Sequence, residues 1–422
     1  MRFLFTLLLC ISVLALANTA FAQEQLPIDG EHIASLGQGK ASPYVIKADG
    51  TLWQLSAAFE ADPEKPWFLP AELKDEAIRQ IGAALLMRNV RSVAGDNEIM
   101  FATLTDGTVW VWGNTRSGLS GNGLMEQKTD YPVQVHISQV STLSFGFMGW
   151  GTAFAVKTDG SLWGWGAGTS YMFSCPKKGE APDNVTTPVK LMDGVRKVAH
   201  GNLVIFAIDT RNQLWAWGER GYIPGKFADT GSYEYSQIDP KDGKQGVARC
   251  KPKVIMTNVS DVAANQRGVF VIKTDGSLWA WGDNRFQDIS AAFPTRYLPP
   301  TKLADKIKII FAGENTAGWI NGRNALMISW TASIMSTTGK KPISSNIAID
   351  VAECAQNSKA MIFRKLDGSL WLRGFDFASM GIDGLKMSSY QAQVVLPPTP
   401  EGIPGKFDAD IERGRSAAVP TQ

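Results

Sequence analysis

The chain has 422 residues and a nearly balanced charge, with 42 basic and 40 acidic side chains. No run of Lys and Arg accompanies this balance, which argues against a nucleic-acid partner because phosphate binding requires concentrated positive charge. A chain of this length usually folds as two or three domains, but a closed ring of repeats accommodates it as one.

The N-terminus has the pattern of an export signal. An apolar run over 3–17 follows Met1-Arg2 and precedes Ala20-Phe21-Ala22, as in a cleaved secretory signal peptide. This run is too short to span a bilayer, and no later run reaches the roughly 18 to 20 apolar residues of a membrane helix. We therefore expect a signal peptide over 1–22 and an exported mature chain, periplasmic or extracellular, without a stable membrane span.

One phrase, Asp-Gly-Ser/Thr-apolar-Trp-x-Trp-Gly, returns along the mature chain. Self-similarity at a period of roughly 40 to 65 residues, with strand patterns, is the signature of a β-propeller. We expect an all-β fold, a seven-bladed β-propeller over 23–397. The copies lie at 106–113, 159–166 and 275–282, with looser ones ending at Trp53, Trp217 and Trp371 and a degraded one at 321–327.

Each copy predicts part of one blade. Asp-Gly between two apolar runs is a strong hairpin signal, because Gly tolerates the positive φ of a tight turn. The paired indoles lie two residues apart, so they share a sheet face and are expected to pack on the neighbouring blade. A later short run with Pro at its start predicts the outer edge strand, and these runs start at Pro132, Pro188, Pro252 and Pro300.

Two further segments lie outside this repeat. The apolar spacing over 71–86, between blades one and two, predicts an appended helix. The polar tail over 398–422 lacks periodicity, and we expect it either to be disordered or to help seal the ring.

Three cysteines remain after removal of the signal peptide. Cys175 and Cys250 lie in long excursions between strands, so in an oxidising compartment they are the candidates for a disulfide. Cys354 stands where other repeats have a small core residue, and we expect a buried free thiol there.

The assembled blade resembles the repeat of the regulator of chromosome condensation (RCC1-like) family. The pattern Val-x-x-Val-Ala-x-Gly, then Asp-Gly-x-Leu-Trp-x-Trp-Gly, is clearest from Val90 to Gly113 and from Val195 to Gly218. The resemblance covers roughly residues 31–397. The family's Asn-x-x-Gly-Gln-Leu-Gly stretch survives only in fragments at 114–121 and 283–287. The resemblance implies the fold and not the founding member's nuclear exchange activity, because no residue here matches that role.

Exported bacterial members of this propeller group are closer in context. One of them is a protein inhibitor of β-lactamases that binds its enzyme with an aromatic-rich face. The resemblance therefore implies a binding role.

The long connections supply the candidate binding surface. Strand direction alternates within a blade, so the excursions over 167–187, 219–251 and 283–299 open on the same face as the loop between first and second strands. Aromatic and Met side chains dominate contact energy at interfaces, although they also form small cores beneath long loops. The candidate partner-binding residues are Phe145, Phe147, Met148, Trp150, Tyr171, Phe173, Tyr222, Tyr233, Tyr235 and Phe286.

We therefore predict a monomeric, non-catalytic binding propeller with a protein or peptide partner. A lectin is the first alternative because Trp and Tyr stack on sugars, but repeated glycan sites are expected to be equal and these loops are not. An enzyme with a site at the central channel is the second. Sequence-distant residues would have to converge there, because the three His of the chain, His32, His136 and His200, come without a local catalytic signature. We therefore name no catalytic residue. No metal or cofactor is expected.

Overall fold

The structure is a computed structural model that describes residues 33–37, 43–56, 64–74, 81–95, 98–146, 151–167, 172–173, 183–201, 204–218, 249–265, 268–283, 297–313, 317–329, 345–356, 360–374 and 391–417. The predicted signal peptide lies outside these ranges. Within them, no helix combines the length and the apolar character needed to cross a membrane.

Seven four-stranded antiparallel sheets form a ring, which confirms the predicted seven-bladed β-propeller. The first strands of consecutive blades contact one another, so they line the centre of the ring. The strands of blades one to three, with one additional strand, are β1 (Ile33–Gly37), β2 (Tyr44–Lys47), β3 (Leu52–Ser56), β4 (Phe68–Lys74), β5 (Ile81–Met87), β6 (Val90–Gly95), β7 (Ile99–Leu104), β8 (Val109–Gly113), β9 (Thr129–Gln134), β10 (Val140–Gly146), β11 (Thr152–Lys157), β12 (Leu162–Gly166) and β13 (Val185–Met192).

Blades four to seven repeat the same strand order. The predicted outer strands are confirmed in β9 and β13 and in two strands of this second group, which contain Pro252 and Pro300. Each strand begins three residues before its proline, so the proline lies inside the strand and not at its start as predicted. The remaining strands are β14 (Val195–Gly201), β15 (Val204–Asp209), β16 (Leu214–Gly218), β17 (Arg249–Met256), β18 (Val259–Ala264), β19 (Gly268–Lys273), β20 (Leu278–Asp283), β21 (Tyr297–Ala304), β22 (Ile307–Ala312), β23 (Ala317–Asn321), β24 (Leu326–Ser329), β25 (Ser345–Ala348), β26 (Val351–Gln356), β27 (Ala360–Lys365), β28 (Leu370–Gly374) and β29 (Gln391–Val395).

The predicted helix over 71–86 is wrong, because this segment supplies the end of β4 and most of β5. β5 pairs with β3 on one side and with β4 on the other, so it is an interior strand. Its residues from Ala83 to Met87 are all buried. A strand buried on both faces has an unbroken apolar run, which periodicity alone does not separate from a buried helix.

β4 closes the ring. It pairs with β5 of blade one and with β29 of blade seven, where Leu73 lies opposite Val394. The two terminal blades thereby become one nine-stranded sheet. The third-to-fourth connection of blade one is thus used for closure and adds a strand to the outer edge of blade seven.

The recurring Asp-Gly turn is a small hydrogen-bonded unit. In blade three, the Asp159 carboxylate accepts hydrogen bonds from the backbone N–H and the hydroxyl of Ser161, and that hydroxyl accepts the indole N–H of Trp163 at 2.8 Å. The hydrogen bonds from Ser161 hold the pKa of Asp159 below its usual range. Equivalent indole bonds join Trp53 to Thr51, Trp110 to Thr108, Trp279 to Ser277 and Trp371 to Ser369. The first Trp of each phrase therefore orders its own turn.

The hydrophobic core lies between the blades. Each cluster of buried side chains combines residues of two consecutive blades, and the predicted packing of indoles on the neighbouring blade is confirmed. Trp165 packs with blade two, Trp217 with blade three and Trp281 with blade four. In blade six the Asp-Gly-x-apolar-Trp phrase is degraded, and Trp319 of β23 lies opposite Met327. The Trp319 indole packs in the junction between blades five and six.

The C-terminal tail follows an ordered path, which we name the C-terminal strap (396–417). It starts at blade seven, and Thr399 donates a hydrogen bond of 2.6 Å to the carboxylate of Asp49, in the turn of blade one. Arg88 then donates to the carbonyls of Pro400 and Ile403. The strap ends in helix α1 (Asp408–Ala417), and Asp408 accepts the backbone N–H of Arg88 at 3.0 Å.

The strap fills the wedge between blades one and two. Phe407 and Ile411 are buried in the same cluster as Leu86 of blade one and Trp110 of blade two. Gly414 lies against the Trp110 indole, since a Cβ there would approach the ring to 2.6 Å. The tail therefore connects the last blade to the first two.

Candidate functional site

The loop face is the side of the ring that carries the connections between first and second strands and between third and fourth strands. Phe145 was predicted to belong to a loop there, but it lies in β10 and is half-buried. Its ring centroid is 5.5 Å from that of Phe101 in blade two. Phe145 therefore packs into the junction between blades two and three.

Phe173 also turns inward. It is half-buried, packs against the cluster of blades three and four, and its ring centroid lies 5.7 Å from that of Phe154. The other eight candidates, Phe147, Met148, Trp150, Tyr171, Tyr222, Tyr233, Tyr235 and Phe286, lie outside the described residues.

The candidate disulfide cannot be compared with the structure, because Cys175 and the side chain of Cys250 lie outside the described part of the chain. Cys354 lies in β26 and is a free thiol, as predicted, although the residue as a whole is half-buried and not fully buried. Burial raises the pKa of this thiol well above its usual range, so it has little thiolate character at neutral pH.

The second Trp of a blade anchors the excursion of the preceding blade. Trp165 of blade three donates its indole N–H to the carbonyl of Leu119 at 3.0 Å, and Trp217 of blade four donates to the carbonyl of Met172 at 2.9 Å. Leu119 and Met172 are themselves buried. Two successive excursions are thus fixed at their base to the next blade, which holds the loop face on a rigid frame.

His200 is packed between blades three and four. Its Nε2 lies 3.2 Å from the hydroxyl of Thr152, and its ring stacks on Phe154 with 5.6 Å between centroids. Gly146 faces the other ring nitrogen so closely that a Cβ there would lie 1.8 Å from Nδ1. Burial lowers the pKa of His200 to about 4. The imidazole is therefore neutral at pH 7 and enclosed by packing.

Two further observations bear on the alternatives. Within the described ranges, no three His, Cys, Asp or Glu side chains converge to hold a metal ion. Lysine ammonium groups lie over four of the first-position indoles, which reduces the open ring surface on which a sugar stacks. The pairs are Lys47 with Trp53, Lys157 with Trp163, Lys273 with Trp279 and Lys365 with Trp371, at 4.5 to 5.6 Å from the ring centroid.

A second candidate surface, absent from the sequence predictions, is an open groove on the outer wall of about 800 Å³. β9 forms its floor, Lys157 and Trp163 of blade three form one side, and Asp410 and Arg413 of α1 form the other. We call this site the outer groove. Tyr131 and Leu124 line it and are each 55% exposed, and the adjacent Met125 is 53% exposed.

The outer groove carries more positive than negative charge. Lys157 and Arg413 line it together with one carboxylate, that of Asp410, which lies 3.4 Å from Arg413. The sequence signal for this site was Leu124-Met125 within the glycine-rich excursion of blade two. That signal is too short to predict a groove, because one side of the lining, formed by Asp410, Arg413 and Gly414, comes from the distant tail.

No protein-family model matches the chain. Among curated proteins, it is similar to the protein pim1 of Schizosaccharomyces pombe, with 22% identity over 290 residues. That match covers 67% of this chain and 50% of pim1, so the chain spans about half the length of this relative.

Solved structures agree on the fold. Human WBSCR16 matches with a TM-score of 0.59 and 16% identity, over 82% of this chain and 94% of that chain. Prp20p from Saccharomyces cerevisiae, the yeast RCC1, matches with a TM-score of 0.52 and 17% identity, over 76% of this chain and 78% of that one. The predicted resemblance is confirmed at the level of architecture: the chain is a seven-bladed β-propeller with the RCC1-like fold.

Proposed function

We propose that this protein is an exported, non-catalytic propeller that binds a protein partner through its loop face. The observation that carries the proposal is the anchoring of successive excursions by Trp165 and Trp217. Loops of unequal length held on a rigid ring are a common way to present a binding surface. The N-terminal signal pattern over 1–22 supports export.

The structural relatives are consistent with a binding role. Prp20p has binding properties toward Gsp1p and histones. A protein partner is therefore the class of ligand that we propose here, although fold similarity alone does not transfer a particular partner.

Phe147 and Trp150 are the residues we propose for the contact. They follow β10 directly in the sequence, whereas Phe145, two residues earlier, packs on Phe101 in the core. Phe145 is accordingly withdrawn from the set of residues suited to a binding test, because its truncation would also open a cavity.

The test is affinity capture with the immobilised mature chain from the envelope fraction of the source organism, quantified by mass spectrometry. A Phe147→Ala/Trp150→Ala variant is expected to lose the captured protein. An Ile349→Ala/Leu366→Ala variant is the matched control, because these exposed apolar residues lie at the opposite, Asp-Gly face of the ring. Capture that is equal for all three proteins would refute the loop-face assignment.

A further inference from the structure

Two equivalent indoles have different environments. Trp110 and Trp163 occupy the same position in blades two and three, since each donates its N–H to the turn hydroxyl two residues earlier. Trp110 is fully buried, and Gly414 of α1 lies against its six-membered ring. Trp163 is half-buried and lines the outer groove. One position is therefore covered by a helix of the chain itself, and the other is open in the described structure.

The strap shows which chemistry fits beside such an indole. Its contact residues are Phe407, Ile411 and Gly414, which are spaced at i, i+4 and i+7. This spacing places them on one side of a helix, and it is the pattern by which amphipathic helices occupy apolar grooves. An occupant of the equivalent position in blade three is expected to follow the same pattern.

The outer groove offers the apolar surface that such a helix requires. Tyr131 and Leu124 line it and Met125 is adjacent, and each of these large side chains is more than half exposed. Val133 contributes a half-buried side chain to the floor. Exposed apolar side chains gathered at a concave site mark interaction surfaces more often than isolated ones do.

The Trp163 position differs from the Trp110 position in the charge of a neighbouring residue. Leu104 ends β7 and is buried in the cluster that holds the strap, whereas Lys157 ends β11 at the equivalent place. The Lys157 ammonium lies 5.6 Å from the Trp163 ring centroid, at the edge of the groove. An occupant that approaches this indole therefore meets a positive charge that the strap does not meet at Trp110.

We propose that the outer groove binds an amphipathic helix of a partner protein, with apolar side chains at i and i+4, a small residue at i+7 and an acidic side chain facing Lys157. The groove takes Leu124 from the excursion of blade two, but its test uses other residues than the Phe147→Ala/Trp150→Ala variant. Either proposal can therefore fail while the other holds.

The test is a selection from a library of short helical peptides built on the strap sequence 404–417, in which the positions of Phe407, Asp408, Ile411 and Gly414 are randomised. The selected peptides are expected to be apolar at the first and third of these positions and to carry Asp or Glu. Binding is then measured by fluorescence anisotropy on the full mature chain.

Affinity is expected to fall by about tenfold or more in a Leu124→Ala/Tyr131→Ala variant, as for truncation of central interface residues. Lys157→Gln is expected to weaken binding by about threefold and to abolish the preference for acidic peptides. The Ile349→Ala/Leu366→Ala variant is the matched control and should bind normally. All substituted side chains are at least partly exposed, and unchanged melting temperatures would verify that the variants fold.

Two results would overturn the proposal. One is the absence of any peptide enriched above background. The other is binding that the Leu124→Ala/Tyr131→Ala variant retains, which would place the peptides elsewhere, for example at the strap's own position.

Discussion

The junction between blades one and two differs from the two that follow it. In the junctions between blades two and three and between blades three and four, the excursion of the preceding blade packs beside the second Trp of the next blade, and Trp165 or Trp217 anchors it. Between blades one and two, Phe407 of the strap packs beside the second Trp, Trp112, with 5.4 Å between ring centroids. The excursion of blade one forms β4 and closes the ring. The space beside the second Trp is thus filled by different parts of the chain, because the space between twisted blades must be packed whatever segment is available. The space beside the first Trp is covered at Trp110 and open at Trp163.

The largest effect is expected from emptying the strap's wedge. Phe407→Ala should lower the free energy of unfolding by about 3 to 5 kcal/mol, since it removes a buried aromatic ring and leaves a cavity. Denaturant titration of the protein measures this loss. Ser416→Ala, at an exposed position of α1, should stay within about 0.5 kcal/mol of the parent. A Phe407→Ala protein of unchanged stability would mean that the strap does not fill the wedge in solution.

The junction of blades three and four should be the one sensitive to acid. The pKa of His200 is lowered to about 4 from 6.5, so the unfolded chain binds a proton more readily than the folded one. Stability from this group is complete above about pH 6.5 and is lost as the pH falls towards 4, on the order of 3 kcal/mol in total.

The control for this pH dependence is His200→Gln, which cannot titrate. Denaturation at a series of pH values should show a steeper loss between pH 6.5 and 4 in the parent than in the variant. Parallel curves would show that His200 titrates normally and is not enclosed as described.

The anchoring bonds are expected to have a smaller effect. Trp165→Phe keeps most of the aromatic volume but leaves the Leu119 carbonyl without its donor, which should cost about 1 to 3 kcal/mol. Trp163→Phe is the matched change, because its N–H bonds a turn hydroxyl at a less buried position. Thermal unfolding and limited proteolysis within 114–128 would compare them. Equal losses of stability and equal cleavage in the two variants would show that the Trp165 indole N–H does not anchor the excursion of blade two.

The smallest effect concerns the end of the strap. Arg415 and Asp106 form an ion pair of 2.5 Å whose side chains are 37% and 43% exposed. Arg415→Ala should therefore cost only about 0.2 to 1 kcal/mol, and less at high salt because exposed charges are screened. A loss as large as that of Phe407→Ala would show that charge, and not apolar packing, holds the strap in place.

Most of the ring could be predicted from sequence because its signals are local. The Asp-Gly turn, the indoles two residues apart and the prolines of the outer strands each lie within a few residues of the element they define. β5 was mistaken for a helix because it is buried on both faces. The role of β4 had no local signal, since its pairing with β29 depends on the opposite end of the chain.

The candidate site was less predictable for the same reason. Phe145 and Phe173 belong to aromatic-rich segments, but composition does not distinguish a ring that points to solvent from one that packs on Phe101 or Phe154. The outer groove combines Tyr131 with Arg413, and only the folded chain brings these two residues together.

The contacts that join the first blade to the last one can form only after most of the chain has been synthesised. Lys47 donates a hydrogen bond to the carbonyl of Pro397, 350 residues later in the chain, and β4 pairs with β29, which follows it by about 320 residues. Until the last blade emerges, the first blade keeps an unpaired strand edge, which is the feature that favours association with other chains. The protein is therefore exposed to association with other chains until β29 has joined β4, and a chaperone that covers β4 would protect it during that interval.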